Sequence, residues 1–262
     1  MKLISPKLYR HLFLNHVAKY LARYQGGLNN SICVAVSGGA DSMALLFLAN
    51  QLFRQNKISH LKALYFHHGT RQGQDEEMNL VHRFCLKHKI SLDIVYLLGL
   101  KNHSSGFELK AREMRKEIEA IYAKTSIIWK GHHLNDSFEW MMMNMSKSSK
   151  MEVLLGIAYK SAKRVGPFLV VTKEQILKYC QANSIEYLND PTNLDMRHER
   201  NYYRQEIIPL IASRNMLYLK HYAHRSNELA QELDLYAGGK SKDYSIHYSS
   251  QMTCLFHQGE GI

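Results

Sequence analysis

The sequence predicts an α/β protein with an open, mostly parallel sheet, helices on both faces of that sheet, and a helical carboxyl-terminal extension. Short β-branched runs alternate with segments of helical periodicity as far as Met145. Such alternation is typical of βαβ units, in which a helix connects each pair of parallel strands. A glycine-rich bend, residues 37–42, directly follows the first run. Open α/β sheets bind ligands at this edge.

The elements can be assigned in chain order. An amphipathic helix is expected from Leu8 to Tyr24, where apolar residues recur at helical spacing. The predicted strands are 31–36, 61–66, 91–98 and 126–130. The helices predicted after them are 42–55, 75–88, 108–123 and 135–145.

The pattern is weaker in the last third of the chain. Thr172 is predicted to cap a helix that ends at Asn183, because its hydroxyl can accept a hydrogen bond from the first turn. Pro209 is expected to interrupt or end a later helical stretch, since proline lacks an N–H. Residues 215–235 have a helical pattern and are expected to leave the sheet domain.

The charge balance favours a polyanionic partner. The chain has 34 Lys and Arg against 23 Asp and Glu, a net charge of +11. Neutralising phosphates releases counterions, so nucleic acid is the favoured class of partner, and an uncommitted basic surface is the alternative.

The cysteines and the hydropathy indicate a cytoplasmic protein without a membrane partner. Cys33, Cys85, Cys180 and Cys254 form no Cys-x-x-Cys pair. This spacing disfavours a zinc ribbon or an iron-sulfur site and favours reduced, buried thiols. The sequence contains neither an apolar run of bilayer length nor a signal-peptide pattern.

The bend has a composition that suits phosphate. It consists of Ser37, Gly38, Gly39, Ala40, Asp41 and Ser42. The two glycines let amide hydrogens turn inward, and the helix that follows adds partial positive charge. The serines can donate hydrogen bonds, whereas Asp41 would repel phosphate unless a divalent cation lies between them. The bend lacks the Walker A lysine, which disfavours γ-phosphate transfer. An ordinary turn and helix cap is the alternative interpretation.

A second group of candidate ligands lies where the fifth predicted helix begins. His132 and His133 precede it, and Asp136 and Glu139 share one face of its first turns. Two carboxylates there can hold magnesium or a cationic amine, or they can simply complement the helix dipole. Zinc is disfavoured because no third spaced ligand is evident.

Two pairs of arginines have helical spacing. Arg112 and Arg115 are three residues apart, and Arg200 and Arg204 are four apart. Each pair therefore faces one side of its helix, where it can clamp a phosphate or form a solvated surface.

The bend resembles the pyrophosphate loop (PP-loop) of the ATP pyrophosphatases. Four further segments look like the tRNA(Ile)-lysidine synthase branch of that superfamily: His-His-Gly-Thr-Arg at 67–71, Ala-Arg-Glu-Met-Arg at 111–115, residues 131–139, and the signature Asp-Pro-Thr-Asn-Leu-Asp…Arg-Asn-Tyr-Tyr-Arg…Pro at 190–209. The resemblance covers residues 30–210 in the family order. It implies an adenine nucleotide alpha hydrolase-like, Rossmann-like fold.

The resemblance also implies an activity. Members of this family bind ATP and Mg2+, adenylate carbon 2 of the wobble cytosine in a tRNA(Ile) with a CAU anticodon, and let free L-lysine displace AMP. The phosphate-binding residues that it implies are Ser37, Gly38, Gly39, Ala40, Asp41 and Ser42, and the implied metal ligands are Asp41 and Asp136. The implied catalytic residues are Asp41, Asp136, Glu139 and Arg112, with Glu139 expected at the lysine ammonium. The implied substrate contacts are His132, Arg115, Arg200 and Arg204.

The chain departs from the family pattern at several positions. His67 replaces an Asn, Asn135 and Ser137 replace an Asp and a Gln, and Gly166 stands where an Arg is usual. Lys-Ser-Ser-Lys at 147–150 replaces an Arg-Gly-Ser-Gly loop. These changes bear on catalytic efficiency and tRNA positioning more than on ATP binding.

Length is the largest departure, because members of the family carry one or two further domains. Residues 1–215 are expected to form the PP-loop ATP-binding catalytic domain, and 216–262 a linker helix and short tail. A minimal enzyme, a truncated one and a relative with a changed substrate all fit this length, and a homodimer stays open.

Two other functions share these features. A PP-loop tRNA thiolase would adenylate a base and insert sulfur, although the absence of paired cysteines disfavours its iron-sulfur form. A catalytically inert relative would bind tRNA without using the nucleotide. Synthetases of small molecules such as NAD or GMP explain neither the positive charge nor residues 190–209.

Overall fold

The computed structural model of the protein describes residues 5–23, 28–69, 73–97, 107–147, 151–161, 163–189 and 195–237. The strands are β1 Ser31–Val36, β2 His60–His67, β3 Ser91–Tyr96, β4 Ile127–Trp129, β5 Lys160–Ser161 and β6 Arg164–Val165. The helices are α1 Pro6–Arg23, α2 Ala40–Arg54, α3 Gln74–His88, α4 Phe107–Tyr122, α5 Leu134–Met145, α6 Lys173–Asn183, α7 Glu199–Tyr202, α8 Ile208–Arg214 and α9 Tyr218–Ala237. A 3-10 turn spans Met151–Leu155, and a π-helical turn spans Tyr203–Ile207.

The strands form one sheet in the order β3-β2-β1-β4-β6-β5. All neighbouring pairs are parallel except β5 with β6, which is antiparallel. The strand order reverses at β1, because β2 and β3 lie on one side of it and β4 and β6 on the other. Ligands bind at the carboxyl ends of strands at such a switch point.

Alternate residues of β1 enter different apolar layers, as the pleat requires. Ile32 and Val34 belong to the large core with buried residues of α1, α2, α3 and α6, whereas Cys33 packs with Leu64 and Ile128 against the end of α4. The sheet therefore carries helices on both faces, and the predicted α/β fold is confirmed.

The predicted strands and connecting helices are confirmed with small shifts of their ends. Thr172 caps α6 as predicted, because its hydroxyl accepts a hydrogen bond of 3.3 Å from the N–H of Gln175. The strands β5 and β6 were not predicted. Each strand has two residues, which are too few to show the alternation of a β-strand in the sequence. Only pairing with a neighbouring strand defines them.

Pro209 does not end its helical stretch, and in this respect the prediction is wrong. Helical backbone continues from α7 through the π-helical turn and α8 to Arg214. Proline is tolerated in the first turn of α8, where its missing N–H would have no helical partner in any case. The expected interruption takes the form of the π-helical turn directly before Ile208.

The last helix does not leave the sheet domain along its first half, contrary to expectation. The Tyr222 hydroxyl lies 2.9 Å from the Ser137 hydroxyl on α5, and the two rings of Phe138 and Tyr222 meet edge to face at 5.3 Å. The apolar side chains of Leu219 and Tyr222 find their burial against α5, so packing decides the direction of α9.

Residues 238–262, with Cys254, lie outside the described residues, and the domain division at residue 215 stays a prediction. In the part of the chain that is described, no helix combines the length and the apolarity needed to cross a membrane.

Candidate active site

A cavity of about 420 Å³ opens at the carboxyl edge of the sheet. Its wall is formed by the bend after β1, by the ends of β2 and β4, by α4, and by residues of α5, α6, α7 and the π-helical turn. The predicted site residues in this wall are Ser37, Gly39, Ala40, Asp41, Ser42, Arg115, His132, Asp136, Arg200 and Arg204. The sequence thus located most of the cavity.

Three predicted residues lie outside the wall. Gly38 belongs to the bend but faces Glu77. Glu139 is buried on α5, where it forms an ion pair with Arg204. Arg112 is exposed on α4 and is not brought to the cavity, whereas Arg115, one turn later, is.

The bend requires glycine at position 38. Gly38 has a φ of +84°, and a Cβ built there would lie 3.1 Å from the Cβ of Glu77. Its carbonyl accepts a hydrogen bond of 3.0 Å from the N–H of Leu188. Gly39 is the N-cap of α2, and no side chain caps this helix terminus. The first turn of α2 therefore offers amide hydrogens to an anion.

The two serines of the bend differ in role. The Ser42 hydroxyl is buried and donates to the carbonyl oxygen of Gly39 at 3.0 Å, while it accepts the N–H of Ser37 at 3.1 Å. Ser42 therefore stabilises the bend itself. Ser37 is exposed at the cavity. Its hydroxyl lies 3.2 Å from that of Ser42 and can turn from this contact to donate to a ligand.

Asp41 is held by a lysine that the sequence did not single out. The ammonium of Lys173 lies 2.7 and 2.8 Å from the two carboxylate oxygens of Asp41. Lys173 is the first residue of α6, and its N–H donates to Asn135 Oδ1 at 2.9 Å. No sequence spacing connects residues 41 and 173, so packing of α2 against α6 alone reveals this contact.

The acidic face of α5 meets the arginines of α7 and the π-helical turn. Arg200 donates to Asp136 Oδ1 at 2.5 Å and to Glu139 Oε2 at 3.0 Å. Arg204 donates to both oxygens of Glu139 at 2.7 Å and to Asp136 Oδ1 at 3.2 Å. Both predicted one-face pairs are confirmed by these contacts. The carboxylates are almost fully buried, whereas the arginines remain partly exposed.

His133 connects Asp41 with Asp136. Its Nδ1 lies 3.3 Å from the N–H of Asp136, and its backbone N–H donates to Asp136 Oδ2 at 3.0 Å. Nε2 lies 3.8 Å from Asp41 Oδ2 and 3.6 Å from Asp136 Oδ2. Burial alone would raise the pKa of Asp136, but His133 and Arg200 outweigh it and hold the pKa below its usual value.

Its neighbour His132 lines the cavity as expected. Burial, opposed by the charge of Asp136, lowers the pKa of this imidazole. A neutral imidazole at the cavity wall can donate or accept a hydrogen bond.

The other side of the cavity contains a charged triad that the sequence analysis missed. Glu119 of α4 is buried and accepts from Lys130 and Arg164, each at 2.8 Å. Burial lowers the pKa of Lys130, while Glu119 opposes that shift. The three residues lie on separate elements, so only the sheet order brings them together.

Most departures from the family pattern have structural roles here. Ser137 accepts the N–H of Ile157 at 2.9 Å and contacts Tyr222, which anchors α9. His67 lies 3.1 Å from Asp75 and accepts the N–H of Gly69, closing the turn after β2.

The other departures lie at turns and at the surface. The N–H of Gly166 donates to Tyr159 at 2.9 Å in the turn after β6. Lys147 pairs with Glu199 at the surface. The residues 70–72, 148–150 and 190–194, which include Arg71, Lys150 and Asn193, lie outside the described residues.

A model of the PP-loop domain family matches residues 13–211. The chain belongs to this family. The matched residues include both ends of the cavity and the bend after β1, which resembles the PP-loop and is called the PP-loop below.

Curated relatives are similar to the chain over the same region. The tRNA(Ile)-lysidine synthase of Oceanobacillus iheyensis is 35% identical over 197 residues, which are 70% of this chain and 42% of the relative. That of Bacteroides thetaiotaomicron is 30% identical over 215 residues, 79% of this chain and 49% of the relative. The chain thus spans less than half the length of either relative.

A solved structure shares the fold. This is the U34-tRNA thiolase from Methanococcus maripaludis, solved with its [4Fe-4S] cluster. The two structures superpose with a TM-score of 0.66 at 19% sequence identity, and the match covers 85% of this chain and 80% of the thiolase chain. At that identity the likeness shows the PP-loop fold alone.

The donors at the cavity suit a metal that arrives with a nucleotide. Among the residues described, no three His, Cys, Asp or Glu side chains group into a metal site. Magnesium is commonly held by one or two carboxylates together with substrate phosphates. Asp41 and Asp136, connected by His133, provide two such carboxylates beside the PP-loop.

Proposed function

We propose that this PP-loop protein uses ATP to ligate lysine to carbon 2 of the wobble cytidine in a CAU-anticodon tRNA(Ile), in the cytoplasm. One observation carries the proposal: a glycine bend suited to phosphate and Asp136, one member of a buried acidic pair suited to an amine, line the same cavity. The similarity to the lysidine synthases of two bacteria supports it.

The reaction divides into two displacements. In the first, the cytosine carbonyl oxygen attacks the α-phosphorus of ATP and diphosphate leaves. In the second, the lysine amine attacks carbon 2, and the oxygen leaves with AMP. Adenylation is needed because the carbonyl oxygen by itself is a poor leaving group.

The residues of the chain have separate roles in these steps. The amides of the bend and the Ser37 hydroxyl would bind the departing diphosphate, where negative charge develops. Magnesium bound by Asp41 and Asp136 would neutralise the phosphates. Glu139 would receive the lysine ammonium beside the guanidinium of Arg204, which donates to both of its oxygens.

The positive charge supports a tRNA partner. Arg115 lines the cavity and Arg112 is exposed on the same helix, so the two can contact RNA phosphates at and outside the cavity mouth. The net charge of +11 favours the same class of partner.

Incorporation of labelled lysine tests the function. The protein is incubated with ATP, magnesium, labelled lysine and bulk tRNA, and label is measured in the tRNA. We expect label that depends on ATP, and no label with the Asp41→Asn variant, whose urea unfolding serves as the control for folding. Full incorporation by Asp41→Asn would contradict the role of Asp41, and ATP-independent or absent label in the wild type would contradict the function.

Sulfur insertion is the alternative function, and it is tested by the same incubation with labelled sulfide in place of lysine. Cys33, Cys85 and Cys180 are buried, and burial raises the pKa of each thiol to about 12. Such thiols are poor nucleophiles, because the thiolate is the reactive form. Labelled sulfide is therefore expected to remain outside the tRNA.

A further inference from the structure

The PP-loop contains no cation of its own, yet an ammonium lies beside it. Lys173 reaches Asp41, the second residue of α2, from the first residue of α6. Both residues line the cavity. A positive charge is thus present at the helix terminus where the diphosphate would bind.

Three other cations of the described wall are committed to buried carboxylates. Lys130 pairs with the buried Glu119, and Arg200 and Arg204 pair with Asp136 and Glu139. Moving any of them would leave a buried charge uncompensated, which is costly. Asp41 differs, because its carboxylate is 29% exposed and the Lys173 side chain 39% exposed. Such an exposed pair adds about 1 kcal/mol or less, so it can be exchanged for other partners.

The backbone of Lys173 is fixed while its side chain is long. Thr172 caps the helix, and the N–H of Lys173 is bonded to Asn135 Oδ1. Four methylene groups separate this anchored backbone from the ammonium, which can therefore turn between neighbouring anions without movement of α6.

We infer that Lys173 supplies the phosphate-binding cation that the PP-loop lacks, and that it exchanges Asp41 for the nucleotide's phosphates when ATP and a divalent cation bind. Before binding, Lys173 neutralises the carboxylate that would repel the polyphosphate. After binding, Asp41 would be free to hold the divalent cation. The inference rests on the proposed use of ATP.

Binding of ATP tests the first half of the inference. Affinity for ATP with magnesium is measured by calorimetry for the wild type, Lys173→Met, Lys173→Arg and Lys178→Met. Lys178 is the matched control, since it lies on the same helix and pairs with Glu174 instead. We expect Lys173→Met to weaken binding about tenfold or more, as loss of a charge-assisted hydrogen bond does. Lys173→Arg should stay within a few-fold of the wild type, and Lys178→Met should be unchanged.

Binding of manganese alone tests the exchange. Electron paramagnetic resonance measures free Mn2+ in the absence of nucleotide. Removing the ammonium frees Asp41, so Lys173→Met should bind Mn2+ more tightly than the wild type, and Lys173→Met combined with Asp41→Asn should lose that gain. A structural role for Lys173 predicts no gain. Unchanged or weaker Mn2+ binding by Lys173→Met overturns the exchange.

The two proposals fail in different ways. A wild type that binds no ATP contradicts the proposed function. A wild type that binds ATP, together with a folded Lys173→Met that binds it equally well, contradicts the phosphate role of Lys173 and leaves the function standing. Thermal unfolding of each variant establishes which are folded.

Discussion

The two ends of the cavity are built in different ways. The PP-loop end is made of backbone: a glycine at φ +84° and a helix terminus that no side chain caps. The other end is made of ionised side chains: Asp136 lines the cavity, Glu139 lies outside the wall on the same helix, and both bind Arg200 and Arg204 from over 60 residues later. The first depends on local conformation, and the second on tertiary packing. Substitutions at the two ends should therefore have different consequences.

The largest effect is expected at the backbone end, from Gly38→Ala. The new Cβ would meet Glu77 at 3.1 Å, in a backbone conformation that costs an L residue about 1–2 kcal/mol. Displacement of the loop should weaken ATP binding at least tenfold, measured by calorimetry. Gly73→Ala is the matched control, since Gly73 has a φ of +97° with no atom near its Cβ position. Equal ATP affinities in the two variants would contradict a phosphate role for the bend.

The side-chain end should lose stability rather than nucleotide affinity. Arg204→Met leaves Glu139 with Arg200 alone, and we expect unfolding in urea to become easier by about 2 kcal/mol. Glu139→Gln should cost less, because the arginines it releases reach solvent. Arg214→Met, at the exposed end of α8, should change stability by no more than about 0.5 kcal/mol. If Glu139→Gln lowered the free energy of unfolding more than Arg204→Met, the uncompensated charge of a buried carboxylate would not be the main cause of the destabilisation.

Low pH should reduce the contribution of the side-chain end to the stability of the protein. Because the pKa of Asp136 is lowered in the folded protein, its stabilising contribution is complete above the unfolded pKa, about 3.9, and is lost as pH falls through the folded value. The difference in free energy of unfolding between wild type and Asp136→Asn should be constant from pH 7 to 5 and shrink below about pH 4. The exposed Glu113→Gln on α4 is the control. A difference that grows on acidification would reverse the sign of the argument.

The smallest effect is expected where an ion pair lies outside both ends. Lys147 and Glu199 form a pair with side chains that are 48% and 43% exposed. Lys147→Ala should cost at most about 1 kcal/mol, and high salt should remove the difference. A loss of stability equal to that of Arg204→Met would mean that exposure to solvent does not explain why one ion pair stabilises the protein more than the other.

The local features of this protein could be predicted from its sequence. The first four strands, the helices between them, the glycine bend after β1 and the Thr172 cap all depend on residues a few positions apart. The facing of Asp136 with Glu139, and of Arg200 with Arg204, follows from helical periodicity in the same way. Each of these features is set by covalent geometry and by hydrogen bonds within one or two turns. Residues that are neighbours in the sequence therefore determine it.

The contacts between these features were decided by the tertiary structure. Spacing does not predict that Lys173 reaches Asp41, that the arginine pair closes on the acidic pair, or that Tyr222 docks α9 on Ser137. The two-residue strands β5 and β6 were also decided by the tertiary structure, because only their pairing with neighbouring strands defines them. These contacts depend on which layers pack together and in what register. Burial of the whole core selects that arrangement, and no short segment contains the information.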